Sequence, residues 1–286
     1  MNIPFAKMHG LGNDFMVLDG VSQALELTPA QIQCWADRHT GVGFDQLLAI
    51  EPPTDPDVDF RYRIYNADGT EAEQCGNGAR CVAKFIADKA LCPKLELRFQ
   101  TSNGQITTRL LEDGQVEVDM GVPVIEPAAV PCDVSQAESS SRVNDATRFR
   151  LLDENGTAHE LTPISMGNPH GVIQVPEIAS TDVAGTGAAL TAHPFFPERA
   201  NIGFCQIVDD NFIRLRVFER GVGETRACGT GACAAVVAGR LAGLLAERVK
   251  VSLPGGKVRI RWQGPDTPVR MIGPATLVYE GQITTS

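Results

Sequence analysis

Apolar and polar residues alternate with period two at Phe60/Tyr62/Ile64, Leu95/Leu97/Phe99 and Val116/Val118/Met120, and again at Ile213/Leu215/Val217 and Val258/Ile260/Trp262. That is the pattern of strands with one buried face. Three segments break it. Thr28-Pro29, a cap residue followed by proline, predicts a short helix. Longer helices are predicted from about Asn77 to Leu91, ending before Pro93 and burying Val82, Phe85 and Ile86, and from about Thr230 to Leu245. The second is apolar nearly all round until Arg240. A helix with so little polar face has to be enclosed, which predicts a curved sheet wrapped around it.

The two long helices sit in matching surroundings. RIYNADGTEAEQCGNGA (63–79) laid over RVFERGVGETRACGTGA (216–232) without a gap pairs Arg63/Arg216, Glu71/Glu224, Cys75/Cys228, Gly76/Gly229, Gly78/Gly231 and Ala79/Ala232, at a constant offset of 153 residues. Gly12-Asn13 against Gly167-Asn168 and Gly43-Phe44 against Gly203-Phe204 echo it nearby. An internal duplication accounts for this order. The expected fold class is α/β (α+β): two pseudo-symmetric lobes, each a curved or barrel-like, mostly antiparallel sheet around a central helix, with the active site in the cleft between them. Residues 1–121 with 274–286 are assigned to the N-terminal lobe and 122–273 to the C-terminal lobe. Pro123 to Arg148, with Pro127, Pro131 and Ser139-Ser140-Ser141, reads as a linker and a mobile surface loop.

Composition narrows the partners. With 25 basic and 35 acidic residues the net charge is −10, so there is no overall basic field for nucleic acid or an anionic membrane. The N-terminus lacks the basic-then-apolar order of a signal peptide, and the apolar stretch Ala232–Leu245 is short and cut by Arg240. A cytosolic protein is expected. Its 8 cysteines among 286 residues are too sparse for a disulfide-stapled scaffold and are read as thiols.

Cys34, Cys81, Cys92, Cys132, Cys205 and Cys233 read as small buried hydrophobes. Cys75 and Cys228 differ, because each stands just before a predicted helix and is followed by glycines that let backbone N–H groups turn toward one point. Such N–H groups and the helix dipole favour a thiolate, and they also suit a carboxylate. A zinc site from Cys75, Cys81, Cys228 and Cys233 fits poorly. Separations of six and five on a helix put side chains about 240° and 140° apart, and no Cys-x-x-Cys occurs. If the two halves face each other, a thiolate can take the α-proton from one face of a carbon bearing a carboxylate while the other thiol delivers one to the opposite face. The N–H groups of Gly76, Asn77, Gly229 and Thr230 would stabilise the carbanion-like intermediate. No dinucleotide fingerprint, Walker loop or pyridoxal lysine is evident, so no cofactor and no metal are expected.

The motifs MHGLGNDF (8–15), GVGFDQ (41–46), YNADGTEAEQCGNGARC (65–81), MGNPH (166–170), RANIGF (199–204) and ERGVGETRACGTGACA (219–234) make the chain similar to the diaminopimelate epimerases, a family of pyridoxal-independent amino-acid epimerases. The resemblance implies two-base epimerisation of L,L-diaminopimelate to the meso form, supplying lysine and peptidoglycan synthesis. It implies Cys75 and Cys228 as the acid/base thiols. Substrate binding falls to Asn13, Gln46, Asn66, Gly76, Asn77, Asn168, Asn201, Glu219, Arg220, Gly229 and Thr230, with Arg220 facing the distal carboxylate. His170 and Glu219 are implied as groups tuning the thiols. Opposite Glu219 the repeat places neutral Asn66, an asymmetry that would keep one sulfur a thiolate and the other a thiol. Tyr279, on a closing strand from Ala275 to Tyr279, is implied as a homodimer contact. The stretch from Pro131 to Arg148 departs from the family in length.

Two other readings stay open at this level. A racemase of the proline type also carries a Cys-Gly-x-Gly pair, and activity on proline beside L,L-diaminopimelate discriminates it. A non-catalytic thiol redox sensor would show no solvent hydrogen entering any amino acid, and the wide spacing of the cysteines speaks against it.

Overall fold

The computed structural model describes residues 2–72, 75–102 and 104–284. The chain forms two compact units, Met1–Asp119 with Ile272–Ser286, and Met120–Met271. The first contains β1 (Asn2–Gly10), β2 (Asn13–Asp19), α1 (Pro29–Ala36), β3 (Gln46–Glu51), β4 (Phe60–Asn66), β5 (Glu71–Ala72), α2 (Gly76–Asp88), β6 (Glu96–Thr101), β7 (Gly104–Leu110) and β8 (Val116–Asp119). The second contains β9 (Ser139–Val143), β10 (Ala146–Leu152), β11 (Ala158–Ser165), β12 (Pro169–Gln174), α3 (Val183–Thr191), β13 (Asn201–Asp209), β14 (Phe212–Glu219), β15 (Gly223–Thr225), α4 (Gly229–Leu241), β16 (Arg248–Leu253) and β17 (Gly256–Arg261). β18 (Arg270–Gly273) brings the chain back to the first unit, where β19 (Thr276–Thr284) pairs antiparallel with β1.

The pairing order is the same in both units. β1 pairs antiparallel with β2, β2 parallel with β3, β3 antiparallel with β4, β4 parallel with β6, and β6 antiparallel with β7. In the second unit β11, β12, β13, β14, β16 and β17 repeat these relations step for step. β5 and β15 are short antiparallel additions to β4 and β14. Equivalent parallel steps need crossovers of equivalent kind, and α1 and α3 provide them.

Within the first unit α2 packs against β1, β2, β3, β7 and β8, and within the second α4 packs against β11, β12, β13, β14 and β17. Contacts on so many strands explain the composition of α4, where Ala232 through Val237 have no exposed surface. Each unit is thus a mostly antiparallel sheet curved around its own helix, the α+β architecture expected. Among the described residues, no helix is long and apolar enough to cross a membrane.

Three expectations are corrected. The long helices end earlier than predicted, because left-handed residues close them. Ala90 (φ 52°) follows α2 with Leu91 N bonding Ile86 O at 3.0 Å, and Gly243 (φ 72°) follows α4 with Leu244 N bonding Gly239 O at 2.9 Å. The helix α3 is absent from the pattern reading. Its sequence VAGTGAALT lacks amphipathic periodicity, and it starts from the Asp182 cap accepting from Gly185 N. Third, the segment 123–148 is not an open loop: β9 and β10 form a hairpin with Ser140 opposite Phe149. Its turn is tied to the end of α4, since Asp145 N bonds Leu241 O at 3.0 Å and Asn144 Nδ2 donates to Ala242 O at 2.8 Å.

Candidate active site

In each unit a cysteine is the N-cap of the enclosed helix. Cys75 has extended backbone (φ −144°, ψ 106°), and its sulfur accepts from Gly78 N at 3.3 Å. Cys228 repeats this (φ −110°, ψ 108°), accepting from Gly231 N at 3.4 Å. A sulfur at this point meets the unpaired N–H groups and positive dipole end of the helix. Glycine three residues on is required for space. A Cβ on Gly78 would lie 2.2 Å from Tyr62 Oη, and one on Gly231 would lie 2.9 Å from Val217 Cγ2.

Cys75 is met by an amide. Its sulfur lies 3.7 Å from Asn13 Oδ1, which also accepts from Asn77 Nδ2 at 3.2 Å. Gln46 Nε2 donates to Asn66 Oδ1 at 3.1 Å, joining the start of β3 to the end of β4. Around Cys228 the partner is acidic. Glu219, at the end of β14, faces the Cys228 thiol and accepts from Thr225 Oγ1, while Thr230 Oγ1 lies 3.6 Å from the sulfur.

This environment corrects the expectation of a thiolate favoured by the helix dipole at Cys228. The side chain is only 4% exposed, and burial, followed by the nearby Glu219 carboxylate, pushes its thiol well above the usual range. Burial likewise raises the Glu219 carboxyl. The helix N–H groups act in the other direction but lose to desolvation. At neutral pH Cys228 is a protonated thiol, a proton donor waiting beside a carboxylate.

His170 stands on β12, the strand equivalent to the one bearing Asn13, and Asn168 immediately precedes that strand. His170 is 1% exposed, and burial, with the Arg220 charge adding to it, pushes the imidazole down to about 3. It is neutral, with Nε2–H donating to Asn168 Oδ1 at 3.1 Å and Nδ1 buried without a partner. Because the folded value lies below the unfolded one near 6.5, the unfolded chain binds the extra proton, and stability falls as pH drops below 6.5. Between pH 7 and 4.5 this group alone costs about 2–3 kcal/mol. Urea unfolding of His170→Gln and wild-type protein across that window should show the wild type with the steeper acid loss.

Asn201 (2% exposed) accepts from Arg220 N at 2.9 Å, and the Arg220 guanidinium donates to Glu198 O at 3.2 Å while remaining exposed. The predicted residues therefore gather into two groups of equivalent origin. Asn13, Gln46, Asn66, Gly76 and Asn77 belong to the unit of Cys75, with Asn13 against its sulfur; Asn168, His170, Asn201, Glu219, Arg220, Gly229 and Thr230 belong to the unit of Cys228. Pattern reading missed Tyr62, whose hydroxyl is 3.4 Å from Cys75 O, and Thr225. It also missed Arg80, a fully buried arginine whose signal was its place in an otherwise small and apolar helix face. Among the described residues, no group of three or more His, Cys, Asp or Glu side chains is placed to hold a metal ion.

Comparison with known proteins adds a family context. A family model described as diaminopimelate epimerase matches residues 5–126 and 162–278. The unmatched stretch between them contains β9 and β10, the hairpin at which the motifs depart in length. Relatives called diaminopimelate epimerase from Pseudomonas paraeruginosa and from Pseudomonas aeruginosa strain UCBPP-PA14 are each 55% identical over 283 residues, covering 99% of this chain and 99% of theirs. Among solved structures, a PhzF-family phenazine biosynthesis protein of Bacillus anthracis has a TM-score of 0.69 at 17% identity, covering 100% of both chains. A hydroxyproline epimerase of Agrobacterium vitis has 0.69 at 13%, covering 99% of this chain and 92% of that one. At such identities these likenesses concern the fold.

Proposed function

Since the chain belongs to the diaminopimelate epimerase family, we propose that it inverts one α-carbon of L,L-diaminopimelate to give the meso isomer, with Cys75 and Cys228 as the two acid/base groups. The observation that carries this is the duplication of one device. Two cysteines cap two equivalent helices, one beside the Asn13 amide and the other beside the half-buried Glu219 carboxyl. An inversion requires a proton to leave one face and another to arrive at the opposite one, and two monoprotic sulfurs suit that division.

One cysteine acts as thiolate and takes the α-proton, while the other, as thiol, protonates the opposite face. In the state described, Cys228 is the thiol. Charge from the broken C–H bond spreads onto the substrate carboxylate, where N–H groups at the starts of α2 and α4, including those of Gly76, Asn77, Gly229 and Thr230, stabilise it. When Cys228 gives up its proton, the adjacent Glu219 opposes the new negative charge. That opposition keeps the sulfur eager to regain a proton, so that the reverse reaction is served by the same pair. His170, being neutral, adds no charge and holds Asn168 in place. Asn13, Gln46, Asn66, Asn168 and Asn201 suit the ammonium and carboxylate groups of a diamino diacid, and Arg220 the distal carboxylate.

A homodimer formed along β19 is part of the same proposal. Leu277, Val278 and Tyr279 are 41%, 55% and 45% exposed, and Phe5 meets the Tyr279 ring edge-on at 6.0 Å, which steadies it. Tyr279→Glu should shift the mass in light scattering from dimer to monomer, because a charge placed at an apolar contact is costly to bury. The functional assignment is tested by following L,L-diaminopimelate and L-proline separately by NMR with purified protein. Conversion of the first and not the second is expected, and the reverse would assign the chain a different substrate.

A further inference from the structure

We infer that Asp45 and Arg80 are positioning residues, fixing the Asn13 amide with its oxygen turned toward the Cys75 sulfur. This rests on the reading of Cys75 as an acid/base group.

An asparagine amide can be turned over with little change of shape, so its polarity must be set by its neighbours. Asn13 Nδ2 donates to Asp45 Oδ2 at 3.0 Å. A carboxylate only accepts, so this contact holds the NH2 end of Asn13 at Asp45 and leaves the oxygen on the other side. At the far end of the chain of amides, Arg80 Nη2 donates to Asn77 Oδ1 at 2.8 Å. A guanidinium only donates, so the oxygen of Asn77 faces Arg80 and its NH2 faces Asn13, donating to Oδ1 at 3.2 Å. An acceptor-only group at one end and a donor-only group at the other thus impose the same direction on both amides.

Asp45 is itself held. Arg38 Nη2 donates to its Oδ1 at 2.7 Å, and Asp14 N donates to its Oδ2 at 3.1 Å. Arg38 also bonds Asp14, which pairs with Lys7. Arg80 has no exposed surface and donates through Nε to Pro274 O at 3.1 Å. The carbonyl oxygen so fixed lies 3.7 Å from Cys75 Sγ. It accepts a thiol proton or an ammonium proton and repels a thiolate, which tunes the balance between the two forms of the sulfur. Among the described residues, Tyr62 and Cys81 are titratable groups that feel Cys75, and both are neutral, since burial raises the phenol well above its usual value and the thiol up to about 12. The charged groups at the ends of the amide chain are Arg80, Asp45, Asp14, Arg38 and Lys7.

The test is Asp45→Asn in the full chain, a change at a side chain 44% exposed. The new amide offers one acceptor where Arg38, Asp14 N and Asn13 Nδ2 all donate, so the hold on the NH2 end of Asn13 is lost; with Asn77 alone left to orient it, that amide turns over part of the time, and Nδ2 then faces the sulfur and favours thiolate. The readout is the pH at which iodoacetamide labelling of Cys75 reaches half its maximum rate, followed by peptide mass spectrometry at 0.1 M and 1 M KCl. Half-maximal labelling should move down by about half a pH unit or more in Asp45→Asn, and the shift should survive 1 M salt. Asp45→Glu, which restores an acceptor-only group, should move it back. With diaminopimelate, kcat should fall about tenfold with a smaller change in KM, the mark of an altered acid/base group rather than lost binding. An unchanged labelling profile overturns the inference. A shift that disappears at 1 M salt also overturns it, because that is the signature of lost charge alone. If Asp45→Asn does not give a cooperative melt, Asp45→Ala is read in the same way. Labelling needs no turnover, so this result is separate from whether the wild-type protein epimerises diaminopimelate.

Discussion

Cys75→Ala and Cys228→Ala should each lower kcat on L,L-diaminopimelate by about a thousandfold or more, with near-UV and far-UV circular dichroism unchanged. Alanine supplies neither the base on one face nor the acid on the other, and an inversion stops if either is missing. Serine should be nearly as poor, because its hydroxyl stays protonated at neutral pH and is the weaker acid when a proton has to be delivered. The contrast lies one and a half turns further along the helices. Cys81 and Cys233 have no exposed surface. For Cys81, burial pushes the thiol up to about 12, so that it is a hydrophobe in practice. Their alanine variants should keep most activity and cost about 1 kcal/mol of stability each. A Cys75→Ala protein with substantial activity would take Cys75 out of the chemistry.

Arg80→Met should cost about 3–5 kcal/mol in urea unfolding, one of the largest effects of any single change in the molecule. The side chain has no exposed surface, and its guanidinium donates to Pro274 O at 3.1 Å, Asn77 Oδ1 at 2.8 Å and, at a longer 3.5 Å, Gly76 O. Methionine fills much of the same volume but leaves these oxygens buried with a donor removed, and an unsatisfied buried acceptor costs about 1–3 kcal/mol. Two of the three acceptors belong to the start of α2 and the third follows β18 in the chain, so the arginine ties the cysteine-bearing turn to the returning strand. A loss below about 1 kcal/mol would mean that water replaces the guanidinium, in contradiction of its complete burial.

The parts of this arrangement that depend on local covalent chemistry were readable in the sequence. Cys-Gly-x-Gly before an apolar run marks a helix start, because the cap side chain accepts from the N–H three residues on, as Cys75 does from Gly78 and Cys228 from Gly231. The all-round apolar face of α4 likewise announced its enclosure. What depends on neighbours remote in sequence was hidden. The helix α3 has no periodic face, since it presses a glycine onto Phe218: a Cβ on Gly187 would lie 2.5 Å from that ring. β9 is exposed on both faces as far as Arg142, so its serines carry no alternation and only backbone pairing with β10 makes it a strand. The protonated state of Cys228 was hidden for a related reason. Dipole and glycines are local and point to thiolate, whereas the burial and the Glu219 carboxylate that outweigh them come from the packed unit. Asp45 stood in a matched motif, but its bond to Asn13 joins residues 32 apart in sequence.

The central claim is that two different sulfurs exchange protons with opposite faces of one carbon, and hydrogen isotope flow tests it most directly. With L,L-diaminopimelate in deuterated water, stopped at low conversion, mass spectrometry and NMR should find the meso product carrying one deuterium at the inverted α-carbon and the recovered substrate almost unlabelled. The abstracted proton stays on the sulfur that took it and returns to the same face, whereas the donated hydrogen comes from a second sulfur already equilibrated with solvent. Equal early labelling of substrate and product would mean that one base serves both faces, and would contradict the assignment of Cys75 and Cys228 as a pair.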